Sequence, residues 1–156
     1  MKITRLKWKQ LTHSQFEQIA AIEENCGLEP YSREMLRECV EHLDTYACLD
    51  GDTVAGFITI QASSRQLGGG LYIVNLNVSK PYRRRGLAQK LITTACGFYR
   101  ESHRGSFVIL DVAKDNTAAW HLYKKLGFDL TDIPSRNGDT DVVMAARLER
   151  LCAPDV

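Results

Sequence analysis

The sequence predicts a single α/β domain built on one mixed sheet covered by helices. Three observations predict it. The spacing of apolar residues changes from a helical period of 3.6 to a strand period of 2 after Leu43. The second half then alternates strand and helix, the pattern of α/β proteins. At 156 residues the chain has the length of one domain that buries about 70% of its unfolded surface, with no linker or internal repeat. Residues 1–150 are taken as the domain and 151–156 as a short polar tail.

Each element follows from local chemistry. "ITRLKWKQL" alternates as an edge strand does. In "LTHSQFEQIAAIEENCG", Thr12 and Gln15 form a capping box, Leu11 and Phe16 a hydrophobic staple, and Gly27 the stop of a first helix. Ser32 caps a second helix whose Met35, Leu36, Cys39, Val40 and Leu43 share one face. "TYACLD" and "TVAGFITIQAS" are strands joined through Asp50-Gly51-Asp52, a hairpin signal. "SSRQLGGG" is a connection, since no helix follows its glycines. "LYIVNLNVS" has the apolar character of a central strand. Gly86 to Tyr99 is a helix with Leu87, Leu91, Ala95 and Phe98 on one side, and "SFVILDVA" is a buried strand. Asn116 to Leu126 is a helix ended by Gly127, and "FDLTDI" and "DVVMAARL" pair around "PSRNGD". The order is β-α-α-β-β-β-α-β-α-β-β.

Composition narrows the function. A formal net charge of +1 and a pI of 7.6 argue against a nucleic-acid protein, which carries a broad basic stripe. No apolar run nears the ~20 residues that span a bilayer, and no signal-peptide h-region follows Met1. Cys26, Cys39, Cys48, Cys96 and Cys152 are odd in number and lack CxxC spacing, as expected of reduced thiols in a cytoplasmic protein. His13, His42, His103 and His121 form no cluster with ligating spacing, so no metal is expected.

The segment "KPYRRRGLAQK" sets three arginines where a helix begins, an end already positive from its dipole. Either the arginines point into water as an exposed basic turn, or an anion sits there. The first N–H groups of a helix have no internal partner, and Gly86 and Ala88 allow a ligand close to them. A pyrophosphate would satisfy both the dipole and the arginines. GxxxxGK[ST] and GxGxxG are both absent, so this is neither a P-loop nor a dinucleotide fingerprint.

"VNLNVSKPYRRRGLAQKLI" followed by "ILDVAKDNTAAWHLYKKLGF" resembles the GCN5-related N-acetyltransferase (GNAT) superfamily. The first stretch is similar to its Q/R-x-x-G-x-G/A loop, filled by Arg83, Gly86 and Ala88. The second is similar to its strand, Asn, helix, Tyr, Gly-Phe run, filled by Asn116, Tyr123, Gly127 and Phe128. With "VAGFITI", the resemblance covers roughly residues 45–130. Within the superfamily, "LDVAKDNTAAWHLYKKLGF" and "EPYSREML" are most similar to the ribosomal-protein N-terminal acetyltransferases (RimI-like). The resemblance implies the acyl-CoA N-acyltransferase fold, a single mixed and mostly antiparallel sheet with helices on both faces. It also implies acetyl-CoA as cosubstrate and direct attack by an amine in a ternary complex.

Carried over residue by residue, the resemblance implies that Arg84, Arg85, Gly86, Leu87, Ala88 and Gln89 hold the pyrophosphate, with Arg83 beginning the motif. Leu76, Asn77 and Val78 would pair with the pantetheine arm as an added strand does, or form an ordinary strand end. Tyr123 matches the general acid; otherwise it is a tyrosine packed under the sheet. Asn116 would cap its helix and contact the cofactor arm, although capping alone explains it. Asp111 stands where RimI-like enzymes carry a Glu base. One methylene shorter, it would act through a bridging water or a closer substrate, or else pair with a neighbouring cation. "LYIVNLNV" has no Glu, which removes the other common base position.

The expected function is therefore an acetyl-CoA-dependent N-acetyltransferase whose acceptor is a protein N-terminal α-amine or a small-molecule amine. The alternative is a non-catalytic acyl-CoA-binding sensor, motivated by Asp111 at the base position and by the missing β4 carboxylate. Acceptor specificity is expected in the Gly27–Ser32 loop, where Glu29 and Tyr31 line the channel, in "SSRQLGGG" and in "PSRNGD". Monomer and homodimer both suit the fold, and neither nucleic acid nor membrane is an expected partner.

Overall fold

The computed structural model describes residues 1–26, 29–63, 69–103 and 105–152. Strands β1 (Lys2–Arg5), β2 (Asp44–Asp50), β3 (Thr53–Ser63), β4 (Gly70–Val78), β5 (Phe107–Ala113), β6 (Asp129–Leu130) and β7 (Asp141–Arg147) join in one sheet of order β1-β2-β3-β4-β5-β7-β6. The helices are α1 (His13–Glu24), α2 (Arg33–His42), α3 (Leu87–Ser102), α4 (Thr117–Leu126) and α5 (Leu148–Leu151). Of the described ladders, β4 with β5 is parallel and the rest are antiparallel. The mixed, mostly antiparallel sheet is the one expected. Among the described residues no helix is long and apolar enough to cross a membrane.

The chain divides into two compact units, Met1–Gln61 with Val74–Ala95, and Ala62–Ile73 with Cys96–Val156. In the first, the Thr12 hydroxyl accepts from Gln15 N–H at 3.1 Å and the Gln15 side chain accepts from Thr12 N–H at 3.2 Å, completing the capping box. Such caps contribute about 1 kcal/mol each. Ser32 caps α2 in the same way through Met35 N–H. Ile19, Leu36, Val40, Ala47, Val54 and Phe57 form the centre of this unit's core. Gly56 on β3 is indispensable to its packing, because a Cβ there would lie 2.9 Å from the Asn77 carbonyl and 3.3 Å from Leu91. The missing side chain lets β3 close on the end of β4.

In the second unit, β5 pairs with β7 over its whole length, Phe107↔Arg147 to Ala113↔Asp141. Asn116 caps α4, its side-chain oxygen accepting from Ala119 N–H at 3.3 Å, and Gly127 ends the helix in a left-handed conformation. Val108, Ile109, Leu110, Phe128, Val143 and Met144 are buried. Cys96 is buried while Cys152, just past α5, is half-exposed. A hydrogen bond with Cys96, aided by the Arg100 cation, draws the Cys152 thiol down to about 7. None of the five cysteines is in a disulfide.

The structure departs from expectation in several places. Met35 is 47% exposed, since α2 buries Leu36, Cys39 and Val40 instead. Phe98 is also 47% exposed, at the margin of the α3 face formed by Leu91, Ala95 and Tyr99. "FDLTDI" forms a strand only over Asp129 and Leu130, followed by one further rung in which the Thr131 N–H and hydroxyl both donate to the Val143 carbonyl. "DVVMAARL" ends as a strand at Arg147, and α5 begins at Leu148. The Gly27 stop, residues 64–68 of "SSRQLGGG" and residues 153–156 of the tail lie outside the described residues.

Candidate functional site

The first unit carries the basic loop. A short turn, Lys80–Tyr82, leads from β4 to Arg83, whose Nε donates to the Val78 carbonyl at 3.0 Å. The first arginine is thus spent on the strand end. Arg85 rests over the Tyr82 ring, 5.4 Å from its centroid, and the Tyr82 hydroxyl donates to Asp50 at 2.9 Å. Arg84 and Gly86 both have left-handed backbones, with φ of 63° and 75°; among the described non-glycine residues Arg84 alone does so. Left-handed residues in a turn swing backbone N–H groups into an anion-binding concavity. The first bond inside α3 runs from Lys90 N–H to the Gly86 carbonyl at 3.1 Å. The N–H groups of Leu87, Ala88 and Gln89 therefore have no acceptor within the helix. A Cβ on Gly86 would find no atom within 4 Å. The space over the helix start is open, as a bound pyrophosphate needs.

Leu76, Asn77 and Val78 form the half-buried end of β4. The Asn77 side chain turns to a group that sequence reasoning passed over, Glu23 of α1. Glu23 is 2% exposed. Its Oε2 accepts from Asn75 Nδ2 at 2.7 Å and Asn77 Nδ2 at 2.8 Å, and its Oε1 accepts from Tyr31 N–H at 3.0 Å. The Tyr31 hydroxyl in turn donates to the Val74 carbonyl at 3.2 Å.

The second unit holds Asp111, Asn116 and Tyr123. Asp111 is half-buried on β5 and its Oδ2 accepts a short hydrogen bond from the Tyr72 hydroxyl of β4. The register Tyr72↔Ile109 puts Asp111 two residues along from Tyr72's partner, on the same face. Above the Tyr72 ring, 5.0 Å from its centroid, lies the Arg136 guanidinium of the "PSRNGD" turn. That turn borders an open cleft of about 330 Å³, also lined by Lys114, Thr131 and Asp132. Tyr123 lies seven residues from Asn116, about 10 Å along α4, with its ring tilted against Phe128 at 5.6 Å. Burial pushes its phenol up to about 12, so it stays protonated at neutral pH. Asn116 spends its oxygen on the cap.

Each unit thus carries part of the expected set: Leu76–Val78 and Arg83–Gln89 lie in the first, and Asp111, Asn116 and Tyr123 in the second. Tyr72, Glu23 and Arg136 were not foreseen. For Glu23 a signal existed. Two asparagines alternate in "VNLNV", and polar side chains inside a central strand require a buried partner.

A family model described as acetyltransferase (GNAT) family matches residues 8–128. A mycothiol acetyltransferase of Corynebacterium glutamicum (strain R) is 37% identical over 83 residues, 53% of this chain. That match spans about a quarter of the relative's own length, 27%. An N-alpha-acetyltransferase of Sulfurisphaera tokodaii is 29% identical over 126 residues, covering 70% of this chain and 75% of that one. The crystal structure of the ribosomal-protein-S18-alanine N-acetyltransferase from Escherichia coli superposes with a TM-score of 0.72 at 20% identity. It covers 94% of this chain and 93% of its own. At that identity the likeness is one of fold.

Proposed function

Because the chain belongs to the acetyltransferase (GNAT) family, we propose that it moves an acetyl group from acetyl-CoA to a primary amine by direct attack. The acceptor is a protein N-terminal α-amine or a small-molecule amine. The observation that carries this reading is the open backbone cradle ahead of α3, where Arg84 and Gly86 are left-handed and nothing fills the space above Gly86. Leu87, Ala88 and Gln89 supply N–H donors to the pyrophosphate, and Leu76–Val78 offer strand-like backbone to the pantetheine arm. Acetyl-CoA supplies the activated acetyl group, and CoA departs.

Asp111 and Tyr72 manage the acceptor's proton. As nitrogen bonds to the acetyl carbon, its proton passes to the Tyr72 oxygen while the Tyr72 proton passes to Asp111 Oδ2, a relay along their hydrogen bond. The phenol supplies the reach that Asp111 lacks beside a Glu. This answers one of the two motives for the sensor alternative, the short Asp111. Tyr123 faces the opposite task. A phenol near 12 is a far weaker acid than a thiol, at about 8.5. Complete protonation of the departing thiolate would run uphill by about 4–5 kcal/mol. Tyr123 therefore acts as a hydrogen-bond donor to the developing charge, and the thiolate leaves as such.

The test pairs acetyl-CoA with peptides of varied first residue and with small amines, following acetylated product by mass. Acetylation of one acceptor class, confined to its amine, is expected. Folded protein that binds CoA and acetylates none of them would refute the reading.

A further inference from the structure

Glu23 stands on a helix to which the transfer scheme gives no task, yet it is the one buried charged side chain among the described residues. Burying a carboxylate is costly unless donors fill its oxygens. Here three N–H groups do so, two from β4 across 52 and 54 residues of sequence and one from the Tyr31 backbone. Asn77 also donates to the Asn75 oxygen at 2.9 Å, so the two strand asparagines are locked to each other as well. A buried ionic group adds little stability over an apolar replacement, and its best use is to select one arrangement. What it selects is specific. Asn75 and Asn77 flank Leu76, in the segment of β4 assigned to the acyl arm. The Tyr31 side chain is tied to the same strand through the Val74 carbonyl.

We propose that Glu23 is a positioning residue for acyl-CoA, a carboxylate lent by α1 to the strand that has none, fixing the β4 backbone and the Tyr31 segment in one arrangement. The proposal rests on the acetyltransferase reading for the role of Leu76–Val78. Glu23 does not meet substrate, since it is 2% exposed and its oxygens are engaged by the three donors.

The test exchanges donor and acceptor within the cluster. Glu23→Gln keeps the shape but turns an N–H2 onto either the Tyr31 N–H or the two asparagine N–H groups, donor against donor, so CoA should bind about ten-fold more weakly. The KM for acetyl-CoA should rise in step while kcat changes less than about three-fold. Asn77→Asp alone sets two carboxylates face to face and should weaken binding at least as much. In the double variant, with the Asn75 amide turned over, the new amide at position 23 donates to the Asn75 oxygen and to the new carboxylate at position 77, Asn75 N–H donates to that carboxylate, and the position-23 oxygen still accepts from Tyr31 N–H. Its CoA affinity should return to within about three-fold of the parent, a coupling measurable as a double-mutant cycle. Parent-like affinity in Glu23→Gln would overturn the proposal. So would a double variant no better than the singles, or a collapse of kcat at unchanged affinity. Should Glu23→Gln not fold, Asn75→Ala removes one donor to Glu23 and the acceptor of one Asn77 N–H, and should cost about three-fold in CoA affinity; no change there would overturn the proposal equally. Calorimetry on CoA needs no turnover. Protein that follows these affinities yet acetylates nothing would therefore count against the acetyltransferase reading and not against this one.

Discussion

Strand β4 serves two carboxylates and treats them in opposite ways. In the first unit its Asn75 and Asn77 give N–H donors to Glu23, which is 2% exposed and fixed from three directions. In the second unit its Tyr72 gives a hydroxyl to Asp111, which is only half-buried. An amide N–H cannot carry a proton away, whereas a phenol both donates and accepts. Under the proposed function the difference amounts to a division of labour: the first unit would hold its groups still and set affinity, and the second would keep a proton path available and set rate.

Substitutions in the second unit should then change kcat, and substitutions in the first should change affinity. The largest effect is expected at the base. Asp111→Asn should lower kcat about 10³-fold, within the range of general-base catalysis, with the calorimetric Kd for CoA unchanged. An equal loss of CoA affinity would break the division. Tyr123→Phe comes next, with kcat lower by about 30-fold at constant KM for acetyl-CoA, since one donor to developing charge is lost. In the first unit, Gly86→Val forces a β-branched side chain onto a φ of 75° and crowds the anion. Its Kd for CoA should rise about ten-fold, or 1.4 kcal/mol, against about three-fold for Arg84→Ala or Arg85→Ala, each a single exposed charge contact. The reverse ranking would show that charge, not backbone, makes the cradle.

A separate effect, outside the comparison of affinity and rate, is on stability at high pH. The Tyr123 phenol titrates near 10 in the unfolded chain and near 12 in the fold. Between those values the unfolded chain sheds a proton that the folded one keeps. The stabilisation linked to Tyr123 is thus complete below pH 10 and is lost as pH rises through about 12. Urea midpoints measured from pH 9 to 11.5 should fall more steeply for the parent than for Tyr123→Phe; parallel slopes would place Tyr123 in water.

Much of this was legible beforehand because it is local. Thr12 with Gln15, Ser32, Asn116 and Gly127 announce their helix ends within four residues, and all serve as expected. Gly86 likewise announced the start of α3, which begins at Leu87. The misses are long-range. Glu23 lies next to Glu24 on a weakly amphipathic helix, so nothing nearby marks it as buried, and its asparagines stand 52 and 54 residues away. Tyr72 and Asp111, 39 residues apart, meet only through the β4–β5 register. Among the arginines, sequence spacing could not tell that Arg83 would turn back to Val78 while Arg84 took the left-handed backbone.

The thiol past α5 has a consequence at the bench. Acetyl transfer frees a CoA thiol, which chromogenic disulfides detect in real time. Cys152 is half-exposed, and with its thiol drawn down to about 7 it is mostly thiolate at pH 8, the form that attacks a disulfide. It will colour the reagent before any turnover, while buried Cys39, Cys48 and Cys96 stay silent. A progress curve should open with a jump proportional to the number of chains, followed by a slope proportional to catalysis. Cys152→Ser should shrink the jump and leave the slope, giving the assay its own measure of protein concentration.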